Sequence, residues 1–218
     1  MLDLLLPQRC LVCGQGGRQL CDGCRERLAR LQPPLCERCG APTVWPVRRC
    51  RECAGRRLGF ASARAAVAYD EIARALVAGW KERGLRRLAG EAAAIVVERL
   101  PPVGAATVAF VPPDPDRSLR RGHHPAEQLA RELAARWELP CEAFLERTRG
   151  GRQRGSSLAE RRANVRGAFR ATERVRGRLV LVDDVYTTGA TASAAASVLR
   201  AAGARRVDVL CFARALRR

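Results

Sequence analysis

The chain has 218 residues, 47% of them hydrophobic and 28% charged, and a formal net charge of +18. That length holds one large domain or two modest ones, and that apolar fraction excludes a disordered chain. No apolar run approaches the roughly 18–20 residues that cross a bilayer, so a folded, strongly basic protein without membrane insertion is expected, suited to an anionic partner or substrate.

The opening Met1-Leu-Asp-Leu-Leu-Leu-Pro7 is too short and wrongly flanked for a signal peptide, which points to the reducing cytoplasm. Eight of the ten Cys then fall in the first 53 residues as four Cys-x-x-Cys pairs: Cys10/Cys13, Cys21/Cys24, Cys36/Cys39 and Cys50/Cys53. Such pairs serve either a disulfide framework or tetrahedral zinc. A reducing compartment disfavours the first, and each tight knuckle supplies two of the four thiolates that zinc takes. Gly14 and Gly40 each follow a knuckle, where a left-handed residue eases the turn. Two structural Zn²⁺ sites are expected. Sequential grouping, Cys10/Cys13/Cys21/Cys24 and Cys36/Cys39/Cys50/Cys53, is favoured on locality over an interleaved one. A segment of about 55 residues with few large apolar side chains depends on such staples. Residues 1–59 therefore read as a cysteine-rich zinc-binding domain and 60–218 as a second domain.

From Phe60 onward, strand-like and helix-like stretches alternate. Ala63–Tyr69 reads as a strand. Glu71–Lys81 reads as a helix with Ile72, Leu76 and Val77 on one face, and Leu88–Leu100 as a second helix closed by Pro101-Pro102. Thr107–Val111 is an apolar strand stopped by Pro112-Pro113. Ala126–Trp137 is a helix with Leu129, Leu133 and Trp137 at i, i+4 and i+8. Leu179–Val182 and Val207–Phe212 read as buried strands around a helix at Ala192–Ala202, with Cys211 a core residue. This alternation predicts an α/β fold, a mainly parallel sheet flanked by helices, with ligands beyond the carboxyl ends of its strands.

The segment with chemistry is Leu179-Val-Leu-Val-Asp-Asp-Val-Tyr-Thr-Thr-Gly-Ala-Thr191. An apolar strand delivers two carboxylates, then a Gly-containing hydroxyl loop, then a helix. Gly189 lets backbone N–H groups crowd an anion, and the helix start adds its positive end. Thr187, Thr188 and Thr191 add hydroxyl donors around Gly189 and Ala190. Asp183 and Asp184 would repel a phosphate, so they suit sugar hydroxyls. The joint reading is a phosphate in the loop and a ribose against the acids. His123 and His124, the two histidines of the chain, have no Cys or acid spaced with them as a ligand set, and an anion contact or a turn suits them better than a metal.

That segment resembles the phosphoribosyl pyrophosphate (PRPP) signature of type I phosphoribosyltransferases. With the cysteine knuckles before it, the chain is identified as a member of the ComF family, a double zinc-ribbon domain followed by a type I phosphoribosyltransferase-like domain, from Leu4 to about Phe212. Tyr69 before Arg74–Gly84, with Lys81 at the family's Lys position, shares in the resemblance. So do Arg121-Gly122 before a helix, and Gln153 through Leu158 followed by Glu160-Arg161 and Asn164–Phe169. It departs at Arg121-Gly122-His123-His124-Pro125, where the family commonly reads Arg-Gly-Phe-Asn-Gln.

The resemblance implies a reaction in which a nucleophile displaces pyrophosphate at the ribose C1 carbon, with Mg²⁺ holding the pyrophosphate. It implies that Asp183 and Asp184 bind ribose hydroxyls and Mg²⁺ waters, and that Thr187, Thr188, Gly189, Ala190 and Thr191 bind the 5′-phosphate. Pro112, Arg121 and Gly122 fall in the pyrophosphate loop. Arg147–Phe169 corresponds to a hood over the site, with Arg161 and Arg162 as its foremost cations, Gln153 and Asn164 as polar partners, and Arg161 joining the two Asp as catalytic candidates. Three functions compete: a PRPP-dependent transferase with an unknown acceptor, a non-catalytic single-stranded-DNA-binding accessory protein of DNA uptake and natural transformation, and a PRPP-sensing regulator. A 5% aromatic content gives a base-stacking platform little material.

The charge supports a local anion site. Residues 147–182 hold eleven Arg against Glu160 and Glu173, a net of +9, while residues 61–146 are neutral. Eight thiolates on two Zn²⁺ would lower the total to +14 and residues 1–60 from +6 to +2, leaving the excess beside the expected phosphate cradle.

Overall fold

The computed structural model describes residues 8–102, 104–114, 122–148 and 167–216. Its elements, in chain order, are α1 (Asp22–Glu26), β1 (Ser62–Ala68), α2 (Glu71–Glu82), α3 (Leu88–Val97), β2 (Thr107–Phe110), α4 (Pro125–Trp137), β3 (Cys141–Glu142), β4 (Leu145–Arg147), β5 (Phe169–Ala171), β6 (Arg178–Tyr186), α5 (Ala190–Ala201) and β7 (Arg206–Arg214).

The main sheet has the order β1-β7-β6-β2-β3 and every pair in it is parallel. Period-two alternation splits β6 between two cores: Leu179 and Leu181 join the one that contains α5, Val180 and Val182 the one that contains α2, α3 and α4. Each core also takes in part of the cysteine-rich segment. Cys10 and Cys24 lie with the helices α2–α4, and Cys36, Cys39 and Cys53 lie with α5. The free edge of β1 is covered by residues 29–31, where Leu31 N donates to Ala66 O and Ala68 N to Ala29 O.

Local chemistry explains the boundaries. Asp70 caps α2 by accepting from Ala73 N at 2.8 Å, and Ile72, Leu76, Val77 and Trp80 are its buried face. Pro125 opens α4, and Glu138 closes it in the left-handed region at φ 55°. The helix expected through Leu100 ends at Val97; Leu100 precedes a proline, whose ring disfavours helical geometry there. The strand expected at Leu179–Val182 runs on to Tyr186, because Asp183, Val185 and Tyr186 pair with Cys211, Ala213 and Arg214 of β7. The two acids therefore sit within a paired strand. Helix α5 begins at Ala190, two residues earlier than its apolar pattern indicates, which places Ala190 and Thr191 in its first turn.

Connectivity selects the site. From β2 the chain crosses through α4 to β3 on one side, and from β6 it crosses through α5 to β7 on the other. Adjacent strands whose connections diverge leave a crevice above their carboxyl ends. Here those ends are Phe110 and Tyr186.

Candidate phosphate and sugar site

A cavity of about 370 Å³ opens above that crevice. Pro112, Asp183, Asp184, Thr187 and Thr191 line it, joined by Lys81 from the last turn of α2. Asp183 Oδ1 accepts from Asp184 N at 3.0 Å, and Asp184 Oδ1 from Val185 N at 2.6 Å. Lys81 Nζ lies 2.5 Å from Asp184 Oδ2. Burial, and then the neighbouring Asp184 charge, push the Asp183 carboxyl up to about 7, against the pull of Lys81 and Arg147. Burial beside a like charge favours either a proton on Asp183 or an added cation.

The loop after β6 is shaped by Tyr186 and Gly189. Gly189 is left-handed at φ 70°, and a Cβ there would sit 2.2 Å from Tyr186 Oη. Thr188 Oγ1 accepts from Ala190 N at 3.3 Å, and Gly189 at the N-cap position brings no capping side chain. The N–H groups that follow Ala190 in the first turn are thus left to a ligand or solvent, an arrangement suited to an anion.

The other walls come from residues that the sequence motif does not contain. His123 is buried, and its Nε2 lies 2.7 Å from Trp80 O, which makes that nitrogen the donor; His124 Nδ1 lies 3.0 Å from Glu127 Oε2. Both histidines, Tyr69 and Arg147 line the cavity. Gly122 stands at the same end of the sheet, its carbonyl accepting from Arg86 Nη2 at 2.9 Å. Arg147 ends β4, which pairs antiparallel with β5, and its guanidinium lies 5.2 Å from the Phe169 ring centroid. The ladder holds both ends of the Arg-rich segment, and Thr148 N donates to Ala168 O at 3.0 Å. Arg121, Gln153, Arg161, Arg162 and Asn164 lie outside the described residues. Asp183, Asp184, Thr187, Thr191 and Pro112 are brought together. Lys81 had only family position to mark it, and its pairing with Asp184 comes from the docking of α2 on the sheet.

The cysteines form two groups, Cys10/Cys13/Cys21/Cys24 and Cys36/Cys39/Cys50/Cys53, each with all sulfurs within 4.8 Å of one another. This is the sequential pairing. Separations of 3.6 Å for Cys13–Cys21, 3.6 Å for Cys36–Cys53 and 3.5 Å for Cys39–Cys50 exceed a disulfide bond and match a tetrahedral edge, about 3.8 Å for bonds near 2.3 Å. Burial pushes Cys36 up, but the backbone N–H groups of Cys39, Cys50 and Arg38 outweigh it and bring the thiol down to about 7. Cys39 is pushed up by burial and by the Cys50 and Cys36 sulfurs. Such a group cannot ionise fully without a cation at its centre, and the residues present fit zinc.

The double zinc ribbon domain family matches residues 1–54. The DNA utilization protein YhgH of Escherichia coli O157:H7 is 29% identical over 98% of this chain and 100% of its own length. Competence protein F of Haemophilus influenzae is 28% identical over 90% of each chain. Among solved structures, the glutamine PRPP amidotransferase of B. subtilis, complexed with ADP and GMP, is 27% identical over 58% of this chain, with a TM-score of 0.38. The chain spans a quarter of that enzyme's length.

Proposed function

The chain belongs to the ComF family, and from that premise we propose that the crevice above β2 and β6 binds PRPP or a closely related sugar phosphate. The observation that carries this reading is the joint placement of Asp183, Asp184, Thr187 and Thr191 around one cavity of about 370 Å³ with Lys81 beside the acids. The ribose hydroxyls donate to the carboxylates. The 5′-phosphate takes the N–H and hydroxyl donors of Thr187–Thr191. Pyrophosphate lies toward Pro112 and Gly122, on the side of Arg147. The like-charged pair at Asp183 and Asp184 fits a divalent cation, and those two residues would hold Mg²⁺, which neutralises pyrophosphate when bound.

In the transferase reading, the C1–oxygen bond to pyrophosphate breaks and its electron pair leaves with the pyrophosphate. A bond forms from C1 to the acceptor, which loses a proton. The Arg-rich segment, including Arg161 and Arg162, supplies positive charge for the leaving group and excludes water. Calorimetric titration with PRPP and Mg²⁺ tests the site. Wild type should bind, and Asp183→Asn/Asp184→Asn should lose about tenfold or more in affinity, as expected for lost hydrogen bonds to charged groups. Wild type that takes up no heat with PRPP would sink this reading.

A second reading, association with single-stranded DNA in uptake or utilisation, is favoured by a surface feature as well as by the relatives' names. Trp45 is 65% exposed, between the second pair of knuckles, and Arg48 and Arg49 follow it on the same exposed loop. An exposed indole beside arginines is a base-stacking and phosphate-contacting surface. Binding of labelled single-stranded DNA should weaken steeply with salt and by about 1–3 kcal/mol in Trp45→Ala. Binding indifferent to both would argue against it.

A further inference from the structure

The phosphate loop and the second cysteine group are tied together by contacts that sugar-phosphate binding does not itself require. Arg56 stands three residues beyond Cys53, and its Nη2 donates to the Thr188 carbonyl at 2.7 Å. In a trans peptide the C=O and N–H point opposite ways, so gripping the Thr188 carbonyl also fixes the direction of the Gly189 N–H. Nearby, Gly59 N donates to Ser193 Oγ at 2.9 Å, one turn into α5. A Cβ at Gly59 would sit 2.2 Å from Ser197 Oγ and 2.4 Å from the Ser193 carbonyl oxygen. The chain leaving the second knuckle pair is therefore pressed onto the start of α5.

A separate route reaches the loop through β7. Arg214, at the end of β7, is 2% exposed. Its Nη1 donates to Cys39 O at 2.6 Å and its Nη2 to Glu52 Oε2 at 2.7 Å, both on the second cysteine group's knuckles. The same guanidinium lies 4.5 Å from the Tyr186 ring centroid. Tyr186 in turn fills the space below Gly189, where any side chain would collide with it. Two chains of contact thus run from the Cys36–Cys53 group to the Thr188–Gly189 peptide, one through Arg56 and one through Arg214 and Tyr186.

We propose that the second cysteine group, when it holds zinc, is the positioning element of the phosphate loop, with Arg56 and Arg214 as the positioning residues. Metal binding fixes the knuckles from which Arg56, Glu52 and Cys39 reach out. Its loss frees Thr187–Thr191 to adopt other backbone conformations and weakens phosphate binding. The zinc state of the ribbon is then read out at the sugar-phosphate site. The coupling rests on the geometry alone; the identity of the ligand rests on the PRPP reading above.

Hydrogen exchange on the zinc-loaded full chain tests it without any ligand. In Arg56→Ala with both zinc ions retained, the amides of residues 187–191 should exchange about tenfold faster or more while those of α4 keep their protection, the scale expected for one lost charge-assisted hydrogen bond; after chelation of the wild type the amides of 187–191 should exchange at least as fast. Affinity for PRPP with Mg²⁺ should fall by a similar factor in Arg56→Ala. Unchanged exchange at 187–191 in both samples overturns the coupling, as does a uniform rise in Arg56→Ala that includes α4. If exchange responds locally but wild type takes up no PRPP, the coupling stands and the ligand assignment fails. If wild type binds PRPP and Arg56→Ala matches it in exchange and affinity, the coupling alone fails.

Discussion

Asp183 concentrates the chemistry of the site in one carboxyl group. The charges that act on it are Asp184 beside it, Lys81 from α2 and Arg147 from β4, with Cys211 opposite in the register of β7. With its pKa raised to about 7, the folded protein binds a proton that the unfolded chain releases near 4. The sign follows: the stability from this proton is fully present below pH 4 and is lost as pH rises to about 7. Asp183→Asn should therefore stabilise the protein increasingly between pH 4 and 7 and by a constant amount above, as read by denaturant unfolding across pH. A direct NMR titration of the carboxyl should show its midpoint fall in Asp184→Asn and rise in Lys81→Met. No response to either neighbour would remove the electrostatic account of the pair.

At the scale of the element, β6, its loop and α5 act as one unit. The motif is legible because each part has a local cause: an apolar run, two acids, hydroxyls around a glycine, then small helix-forming residues. Its register is not local. Asp183–Tyr186 continue the strand only because Cys211–Arg214 are there to pair with them. Gly189 shows why the glycine is required. Gly189→Ala combines a left-handed backbone with a contact 2.2 Å from Tyr186 Oη. It should destabilise the protein by about 1–3 kcal/mol and abolish sugar-phosphate binding, and a variant that binds PRPP normally would mean the loop does not form the cradle. The short pairs β3, β4 and β5 carried no periodic signal, since two or three residues are too few to show alternation.

Across the whole molecule, the cysteine-rich segment is part of both cores. Its first group packs with α2–α4 and its second with α5. Metal analysis should return about two zinc per chain, and metal-free protein with eight reactive thiols would refute the sites. The buried Arg214 guanidinium, paired with the half-buried Glu52, ties this segment to the sheet's last strand. Arg214→Met leaves Glu52 and the Cys39 carbonyl without this donor and should cost about 1–3 kcal/mol of unfolding free energy, measured with zinc present; a loss of only a few tenths of a kcal/mol, about that of an exposed surface pair, would place that contact at a freely hydrated surface.

By itself the sequence determined the zinc knuckles, the α/β alternation and the strand–acid–loop–helix cradle, because each is written in residues close together along the chain. The tertiary structure decided the sequential grouping of the sulfurs, the divergence of β2 and β6 that opens the crevice, and the arrival of Lys81, Arg147 and both histidines at its walls. It also decided that Arg56 and Arg214, unremarkable among 39 arginines, reach Thr188 and Tyr186. Charge density along a chain shows where cations are plentiful. Which of them are held against a particular carbonyl or ring depends on contacts across 132 residues in one case and on the pairing of β6 with β7 in the other.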